Sequence, residues 1–373
     1  MKHLLVTNDF PPKIGGIQSL LWEWWRRLPS DSFAVLTSPY AGSEAFDAEQ
    51  PFRIERTREP VLLPHPFMVQ RINRLAREVG ADFVVLDPAV PLGIVGPSLE
   101  LPYMVVLHGA EVTVPGRLPG SNLALRRVLR NARHVIAAGG YPAAEARRVA
   151  GADLAITQIP PGVDTQRFVP LSDEQRIAAR SHFGVPHDAQ LVVRLSRLVP
   201  RKGFDVLIEA ASRLRDEFPK LTVLIGGSGR DADRLRGVID KHRAPARLVG
   251  RVPNEHLADF YGCADVSAML CRSRWGGLEQ EGFGIVFAEA ASCGVPQLAG
   301  ESGGAAEAVV DGVTGLVVKR PDNVDDVASA LRELLSSEDR RRAMGCASRE
   351  RAVAEFDYGV LSRRLGEVLG VGS

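Results

Sequence analysis

The chain has 373 residues, of which 45% are hydrophobic and 24% are charged, and its formal net charge is +1 at pH 7. The length favours two domains of ordinary size, and the composition is that of a soluble globular protein. The near-neutral charge gives no support for a nucleic-acid partner held by bulk electrostatics. The sequence contains no run of 18 apolar residues, so no membrane-spanning helix is expected.

The N-terminus and the cysteines predict a cytoplasmic protein. Residues 1–9 lead directly into a strand pattern, without the long apolar region and cleavage site of a signal peptide. The four cysteines show no CxxC pairing, so we expect neither a disulfide framework nor a zinc site.

Short apolar runs alternate with helical patterns along the first half of the chain. Strands are predicted at His3–Asn8, Phe33–Thr37, Phe83–Asp87, Tyr103–His108, His134–Ala138 and Ala155–Ile159. Helices are predicted at Ile17–Leu28, Phe67–Val79, Ser121–Asn131 and Pro142–Ala150. This β–α alternation predicts a parallel sheet covered by helices on both faces.

The second half repeats the same alternation. Strands are predicted at Leu191–Ser196, Leu221–Ile225, Ala246–Val249, Val266–Leu270, Pro296–Ala299 and Gly315–Val318. Helices are predicted at Asp205–Phe218, Asp231–His242, Glu255–Gly262, Phe283–Cys293, Val324–Leu335 and Tyr358–Leu369. The fold class is therefore α/β, with two doubly wound Rossmann-like domains and a ligand cleft between them.

Pro160–Asp164 and the polar stretch Pro170–Ala189 mark the predicted domain boundary. We assign residues 1–165 to a first domain and residues 166–356 to a second. The C-terminal segment 357–373 follows the second sheet, and we expect its helix to pack back on the first domain.

Two acidic residues frame a glycine-rich helix start at Glu281-Gly282-Phe283-Gly284-Ile285-Val286-Phe287-Ala288-Glu289. The apolar run from Phe283 predicts a helix, which places Glu281 in the loop before it and Glu289 inside it. The N–H groups of Gly282 to Ile285 then form an open helix N-terminus, suited to a phosphate or a polar sugar. This arrangement fits a ligand with an anionic middle and hydroxyl-rich ends, such as a sugar nucleotide.

Basic residues follow the first strand of the second half, in the segment Ser196–Gly203. Arg197 and Lys202 come just before a predicted helix, so we expect two cations at the edge of the cleft. An arginine fork and a lysine point charge together can neutralise a pyrophosphate.

Two features of the first half point to the same cleft. Gly15-Gly16 opens the first helix, where close backbone approach and the helix N-terminus favour an anion. The loop is not GxGxxG, which weakens a dinucleotide interpretation. His108 ends the fourth strand, where it can hydrogen-bond a sugar hydroxyl or carry positive charge near a reacting centre.

Other patterns in the second half have simpler interpretations. Gly226–Gly229 is a turn over which a nucleotide can lie, although tight βα turns use the same residues. Asp231-Ala232-Asp233 matches a metal-binding DxD but fits better as the acidic first turn of a helix, so we expect no metal site. Ser302-Gly303-Gly304 is a glycine turn before a short helix. Arg194 interrupts an apolar strand, and nothing in the sequence explains it.

Taken together, these motifs resemble the family 4 retaining glycosyltransferases, which have the GT-B fold. The resemblance rests on Glu281 and Glu289, the Ser-Arg-Leu-x-x-x-Lys-Gly run at 196–203, Gly15-Gly16 and Ser302-Gly303-Gly304. The stretches 7–19, 195–203 and 271–289 look closer still to the PimB-type phosphatidylinositol monomannoside mannosyltransferases of actinobacteria. That resemblance implies α-1,6 transfer of mannose, with retention, from GDP-mannose to a lipid-linked inositol mannoside. It also implies that the first domain is an acceptor-binding domain and the second a sugar-nucleotide-binding domain.

The resemblance also implies a role for each matching residue. Implied donor-binding residues are Gly16, Arg197, Lys202, Gly227, Gly282, Phe283, Gly284, Ile285 and Glu289. Implied catalytic residues are His108, Arg197, Lys202 and Glu281, and Asp9 and Gln18 would lie toward the acceptor. Within these sets, Arg197 and Lys202 would hold the diphosphate, Glu281 the mannose and Glu289 the ribose. No cofactor or metal is expected beyond the donor substrate.

The sequence leaves several alternatives open. The resemblance implies a second histidine at position 110, where this chain has Ala110, and that difference bears on the acceptor. Within the transferases, another nucleotide-sugar donor or a soluble glycan or polyol acceptor remains open. A sugar-nucleotide epimerase would need acid and base groups on both sides of the sugar, and a non-catalytic sensor would not need Arg197, Lys202 and His108 together.

A lipid acceptor requires docking at an anionic membrane surface, expected here at the cytoplasmic face of the plasma membrane. Between Val112 and Arg148, seven arginines stand against one acid, Glu145. Leucine and valine residues at 123, 125, 128 and 129 interleave with them. Basic amphipathic segments bind anionic bilayers, so we expect this segment to dock the protein peripherally.

Overall fold

The computed structural model describes residues 1–274, 276 and 279–371, which form two compact units. Unit 1 contains Met1–Gly162 and Tyr358–Ser373, and unit 2 contains Val163–Asp357. Trp275, Gly277 and Leu278 belong to the stretch 271–289 that carries part of the family resemblance, and they lie outside the described residues.

The strands of unit 1 form a seven-stranded parallel sheet in the order β3-β2-β1-β4-β5-β6-β7. The strands are β1 (His3–Thr7), β2 (Phe33–Thr37), β3 (Ile54–Arg56), β4 (Phe83–Asp87), β5 (Tyr103–Leu107), β6 (His134–Ala137) and β7 (Ile156–Gln158). The helices between them are α1 (Gly16–Trp25), α2 (Ser43–Ala48), α3 (Pro66–Val79), α4 (Ala110–Arg117), α5 (Ser121–Asn131) and α6 (Gly140–Ala150).

The strand order of unit 1 reverses between β1 and β4. Both strands are fully buried along their length, as expected for a parallel sheet covered on two faces. Their register places Thr7 beside Asp87, so both residues lie at the carboxyl edge of the sheet. Ligands of doubly wound sheets bind outside this edge at the point of reversal.

The helices of unit 2 are α7 (Asp173–His182), α8 (Phe204–Leu214), α9 (Ala232–His242), α10 (Leu257–Gly262), α11 (Ile285–Ser292), α12 (Val324–Leu335) and α13 (Glu338–Arg351). Its strands are β8 (Gln190–Leu195), β9 (Leu221–Gly226), β10 (Ala246–Gly250), β11 (Val266–Met269), β12 (Gln297–Gly300) and β13 (Gly315–Val318). Among the described residues they form a six-stranded parallel sheet in the order β10-β9-β8-β11-β12-β13. The reversal point lies between β8 and β11.

The chain returns to unit 1 through its last helix, α14 (Tyr358–Leu369). Leu361, Leu365 and Leu369 are buried in one apolar cluster with Trp24 and Trp25 of α1. The hydroxyl of Ser362 donates to the Trp24 carbonyl at 2.6 Å. Burial of this apolar face fixes the helix on α1.

The structure shifts the predicted domain boundary and adds elements that the sequence did not predict. Unit 1 ends at Gly162 rather than 165, because Val163 bridges to Asp357 and Thr165 donates to the Asp357 carboxylate at 2.5 Å. The elements that were not predicted are β3, α2, α4, α7 and α13. The polar stretch Pro170–Ala189 lies inside unit 2 rather than at the boundary. It contains α7, whose N-terminus is closed by a capping box between Ser172 and Gln175.

The prediction that the basic segment between Val112 and Arg148 presents apolar side chains to a membrane was wrong for three of them. Leu125, Val128 and Leu129 of α5 are buried in the apolar core of unit 1, so they do not form a surface for lipid. Glu145 accepts hydrogen bonds from both Arg117 and Arg148, which offsets part of the basic charge. In the described ranges of the chain, no helix is long and apolar enough to cross a membrane.

We expect Leu365→Ala to lower the free energy of unfolding of unit 1 by about 2–5 kcal/mol, because it leaves a cavity against the tryptophans. Arg364→Ala on the exposed side of the same helix is the control and should change stability by less than about 0.5 kcal/mol. Denaturant unfolding followed by tryptophan fluorescence measures both. Equal effects of the two substitutions would contradict the packing of α14.

Candidate functional site

The carboxylate of Glu281 forms the centre of a charged cluster in unit 2. Its Oε2 atom accepts hydrogen bonds from Lys202 Nζ at 2.5 Å, Arg201 Nη1 at 2.8 Å and Cys271 Sγ at 3.4 Å. Glu281 and Lys202 are both buried. Buried charges are stable only when they are paired, and here the carboxylate and the two cations pair with each other.

Burial alone would raise the pKa of Glu281. The charges of Lys202 and Arg201 and their hydrogen bonds outweigh burial and lower that pKa to about 2. Glu281 is therefore ionised at neutral pH. Its Oε1 atom accepts no hydrogen bond from the described residues, so this oxygen can accept one from a ligand hydroxyl.

Arg194, which the sequence did not explain, fixes the loop that carries Lys202. It is a fully buried residue of β8, and its guanidinium donates to the carbonyls of Lys202 and Ala268. The guanidinium lies 4.7 Å from the ring centroid of Phe204, a cation–π distance. Arg194 therefore joins the ends of β8 and β11 at the reversal point of the sheet.

A double glycine supports the loop that carries Glu281. The Gly304 N–H donates to the Glu281 carbonyl at 2.9 Å. A Cβ added to Gly304 would lie 1.9 Å from the Gly282 carbonyl oxygen, and one added to Gly303 would lie 2.2 Å from that of Glu281. The two glycines of Ser302-Gly303-Gly304 thus have a steric reason, because only glycine allows the two backbones to approach this closely.

The loop from Gly282 to Ile285 differs from its prediction as a helix start. Helix α11 begins at Ile285, with Gly284 at its N-cap in the left-handed region at φ 86°. Gly282 and Phe283 precede the helix, and Phe283 is buried in the core. The predicted helix N-terminus thus lies two residues further along the chain.

Glu289 does not contact the Glu281 cluster through any hydrogen bond within the described residues. It lies in the second turn of α11, where its Oε2 accepts from the Tyr261 hydroxyl at 2.9 Å. Burial raises the pKa of Glu289, opposite to the shift of Glu281. The two carboxylates therefore have different environments and are suited to different parts of a ligand.

The other predicted residues of unit 2 differ in their surroundings. Arg197 is exposed, and its guanidinium forms no hydrogen bond or ion pair with a described residue. Gly227 has φ 122°, and a Cβ there would lie 2.0 Å from the Ser196 carbonyl oxygen, which gives this glycine a structural reason. Asp231 lies at the start of α9, as its interpretation as a helix start predicts, and its carboxylate pairs with Arg234 at 2.6 Å instead of capping the helix.

In unit 1, the predicted residues lie in the loops after β1 and β5 and in the first turn of α1. The Asp9 carboxylate accepts from Gln18 at 2.5 Å and from Lys13 at 3.0 Å. His108 Nε2 lies 2.8 Å from Asp87 Oδ1. Gly16 is the first residue of α1, and a Cβ there would meet no atom within 4 Å.

Sequence reasoning missed four contributors to these clusters, namely Asp87, Arg194, Arg201 and Cys271. Asp87 is the last residue of β4, which lies beside β1. Its place at the carboxyl end of a strand is the one signal in the sequence that could have indicated a functional role. Arg201 stands next to Lys202 in a basic loop, and its pattern does not distinguish it from Arg197.

Comparison with known proteins identifies the class. Residues 14–167 match the model described as Glycosyltransferase Family 4, and residues 175–351 match that described as Glycosyl transferases group 1. The chain therefore belongs to the family 4 glycosyltransferases. Its two doubly wound units are those of the GT-B fold.

Two curated relatives cover nearly the whole chain. The GDP-mannose-dependent alpha-(1-6)-phosphatidylinositol monomannoside mannosyltransferase of Mycolicibacterium smegmatis is 38% identical, over 98% of this chain and 97% of its own. The GDP-mannose-dependent monoacylated alpha-(1-6)-phosphatidylinositol monomannoside mannosyltransferase of Corynebacterium glutamicum is 36% identical, over 99% and 97%. Among solved structures, Anabaena Alr3699/HepE in complex with UDP aligns over 99% of this chain and 100% of its own, with a TM-score of 0.84 at 20% identity, which shows the fold alone.

We expect Gly304→Ala to destabilise unit 2 by about 1–3 kcal/mol, because the added methyl overlaps the Gly282 carbonyl. Gly237→Ala is the matched control: it lies within α9, where a Cβ meets nothing within 4 Å. Alanine favours a helix over glycine by about 1 kcal/mol, so the control should be as stable as the parent or more stable. Thermal unfolding of both variants checks the difference, and an unchanged Gly304→Ala would contradict the close backbone approach.

Proposed function

We propose that this protein transfers mannose, with retention, from GDP-mannose to a phosphatidylinositol mannoside and forms an α-1,6 linkage. The observation that carries the proposal is the 38% identity, over 98% of the chain, to the mannosyltransferase of Mycolicibacterium smegmatis. The charged cluster around Glu281 supports it, because the cluster lies at the reversal point where doubly wound sheets bind nucleotides.

Unit 2 is proposed to bind the donor. Lys202 and Arg197 would hold the diphosphate with the N-terminus of α11, and Arg201 adds positive charge beside them. Glu281 Oε1 and the backbone of Gly282 to Ile285 would hold the mannose. Glu289 would hold the ribose hydroxyls, and Gly227 would shape the turn beneath the nucleotide.

Unit 1 is proposed to contribute Gly16, His108, Asp9 and Gln18. The Gly16 N–H would donate to a phosphate oxygen, because N–H groups in the first turn of a helix have no partner within the helix. In the described part of the chain, no atom lies within 4 Å of the position of a Cβ at Gly16, which leaves room for the ligand. His108 would contact the transferred sugar. Asp9 and Gln18, already joined to each other, would bond the acceptor.

The proposed mechanism is attack by the acceptor hydroxyl on the same face of the sugar that the diphosphate leaves. The bond from the anomeric carbon to the diphosphate breaks, a bond to the acceptor oxygen forms, and the hydroxyl proton passes to a β-phosphate oxygen. Lys202, Arg197 and the helix N-terminus stabilise the charge on the leaving diphosphate. Glu281 is engaged by three donors through Oε2 and acts by binding the sugar rather than as a nucleophile.

Product analysis by mass spectrometry tests this function, with a panel of nucleotide sugars offered with and without a lipid inositol mannoside. We expect a mannosylated lipid from GDP-mannose, formed also in the presence of EDTA. A product formed only from another donor, or only on a soluble glycan or polyol, would replace the proposal. Interconversion of the sugar without transfer would indicate an epimerase.

In the same assay, Lys202→Ala should lower turnover by about 100-fold or more, since it removes a buried cation beside the leaving group. Lys220→Ala is the control, because Lys220 is exposed and pairs with Asp188 at the surface of unit 2. Circular dichroism verifies that both variants are folded. Near-normal turnover of Lys202→Ala would contradict the assigned role.

We further propose that the protein docks peripherally on an anionic membrane through the start of α3 rather than through α5. Leu63 and Phe67 are exposed by 51% and 75%, and residues next to them in the chain line a cavity of about 440 Å³. Pro64, Pro66 and the half-exposed Ile94 line this cavity. Exposed apolar side chains around one cavity suit the acyl region of a bilayer that presents a lipid-linked acceptor.

Flotation with liposomes containing anionic lipid tests the docking surface. The double substitution Leu63→Ser and Phe67→Ser should lower the bound fraction about tenfold or more, because it removes two insertable side chains. Leu123→Ser, on the exposed side of α5, is the control and should bind as the parent does. The reverse result would assign docking to α5, and an absence of binding by the parent would favour a soluble acceptor.

A further inference from the structure

A chain of hydrogen bonds at the carboxyl edge of unit 1 ends at His108. Thr7, Asp87 and His108 follow or end the adjacent strands β1, β4 and β5. The Thr7 hydroxyl lies 2.6 Å from Asp87 Oδ2, and Asp87 Oδ1 lies 2.8 Å from His108 Nε2. Asp87 is fully buried.

The direction of each bond in this chain is fixed. The Thr7 hydroxyl oxygen accepts the Asp9 N–H at 2.9 Å, so its own hydrogen is directed to Asp87. Asp87 therefore accepts from Thr7 through one oxygen, and its other oxygen accepts from His108 Nε2–H. The backbone of His108 is held separately, because the N–H groups of His108 and Gly109 both donate to the Glu111 carboxylate.

The second ring nitrogen of His108 has no partner among the described residues. Nδ1 is buried and makes no hydrogen bond there. An unpaired buried polar group is costly, so Nδ1 is the ring atom that gains most from an incoming ligand oxygen. The His108 side chain is 8% exposed, so a ligand oxygen that reaches Nδ1 must displace the atoms that bury it.

We propose that Asp87, oriented by Thr7, is a positioning residue that keeps His108 protonated on both nitrogens, so that Nδ1–H donates to an oxygen of the transferred sugar. The inference deepens the proposed function and rests on it. It gives Asp87 a role through His108 and not through contact with the substrate.

The charges that face His108 are consistent with this role. Burial lowers its pKa, but the carboxylates of Asp87, Glu111 and Asp9 raise it by more, to about 9. Lys13 is bound to the Asp9 carboxylate at 3.0 Å and offsets part of its charge. His108 is thus a cation at neutral pH, and its donor form is lost as the pH rises through about 9.

Asp87→Asn tests the inference, because it keeps the shape and removes the charge. The pKa of His108 should then fall toward that of free imidazole, about 6.5. From the two protonated fractions, transfer should fall about 30-fold at about pH 8 and less than about twofold at about pH 6. A merely structural defect would lower transfer equally at both pH values. Asp153→Asn, the same substitution at an exposed ion pair with Arg130 in unit 1, is the control and should behave as the parent.

Nuclear magnetic resonance of the imidazole nitrogens provides a measurement that needs no substrate. The His108 signal is identified by its absence in His108→Gln, and in the parent it should titrate near pH 9. A neutral His108 at about pH 7, or an alkaline limb unchanged in a folded Asp87→Asn, would overturn the inference even if the parent transfers mannose. A parent that titrates as expected but transfers no sugar would instead contradict the proposed function.

Discussion

The buried ion pair between Glu281 and Lys202 is the interaction on which the site of unit 2 depends. A carboxylate and an ammonium group each lose several kcal/mol of hydration when buried, and only close pairing offsets that loss. The pair forms only if the loop after β8 and the loop before α11 are both held in place. Arg194 holds the first loop through the Lys202 carbonyl, and Gly304 supports the second through the Glu281 carbonyl. Residues that never reach a ligand therefore determine where the ligand-binding charges lie.

Unit 1 also stabilises a buried charged group, but there the central group is a cation and its partners are anions. In unit 2 a carboxylate is surrounded by cations, whereas in unit 1 the imidazole of His108 is surrounded by carboxylates. Both clusters lie where the strand order of a sheet reverses, because there two neighbouring loops diverge and leave their charged side chains in reach of a ligand.

The sequence predicted the two sheets because buried parallel strands appear as short apolar runs. It missed β3, which has three residues and no apolar run, and α7, whose polar exterior resembles a linker. The Glu281 loop could be predicted from its glycines, but its partners could not. Arg197 and Arg201 look equivalent in the basic loop, and only the structure shows that Arg201 binds Glu281 while Arg197 lies in solvent. The pairing of Asp87 with His108 depends on two strands lying side by side, which no local pattern records.

The return of the chain to its first unit determines the order in which the protein can be completed. Residues of α14 supply part of the apolar core around Trp24 and Trp25, yet they are synthesised after the whole of unit 2. Unit 2 is continuous, and its apolar core contains no residue of α14, so it can form independently of that helix. The core of unit 1, by contrast, stays open until α14 has left the ribosome and packed against α1. The first domain of this protein is therefore completed only after the second has been synthesised.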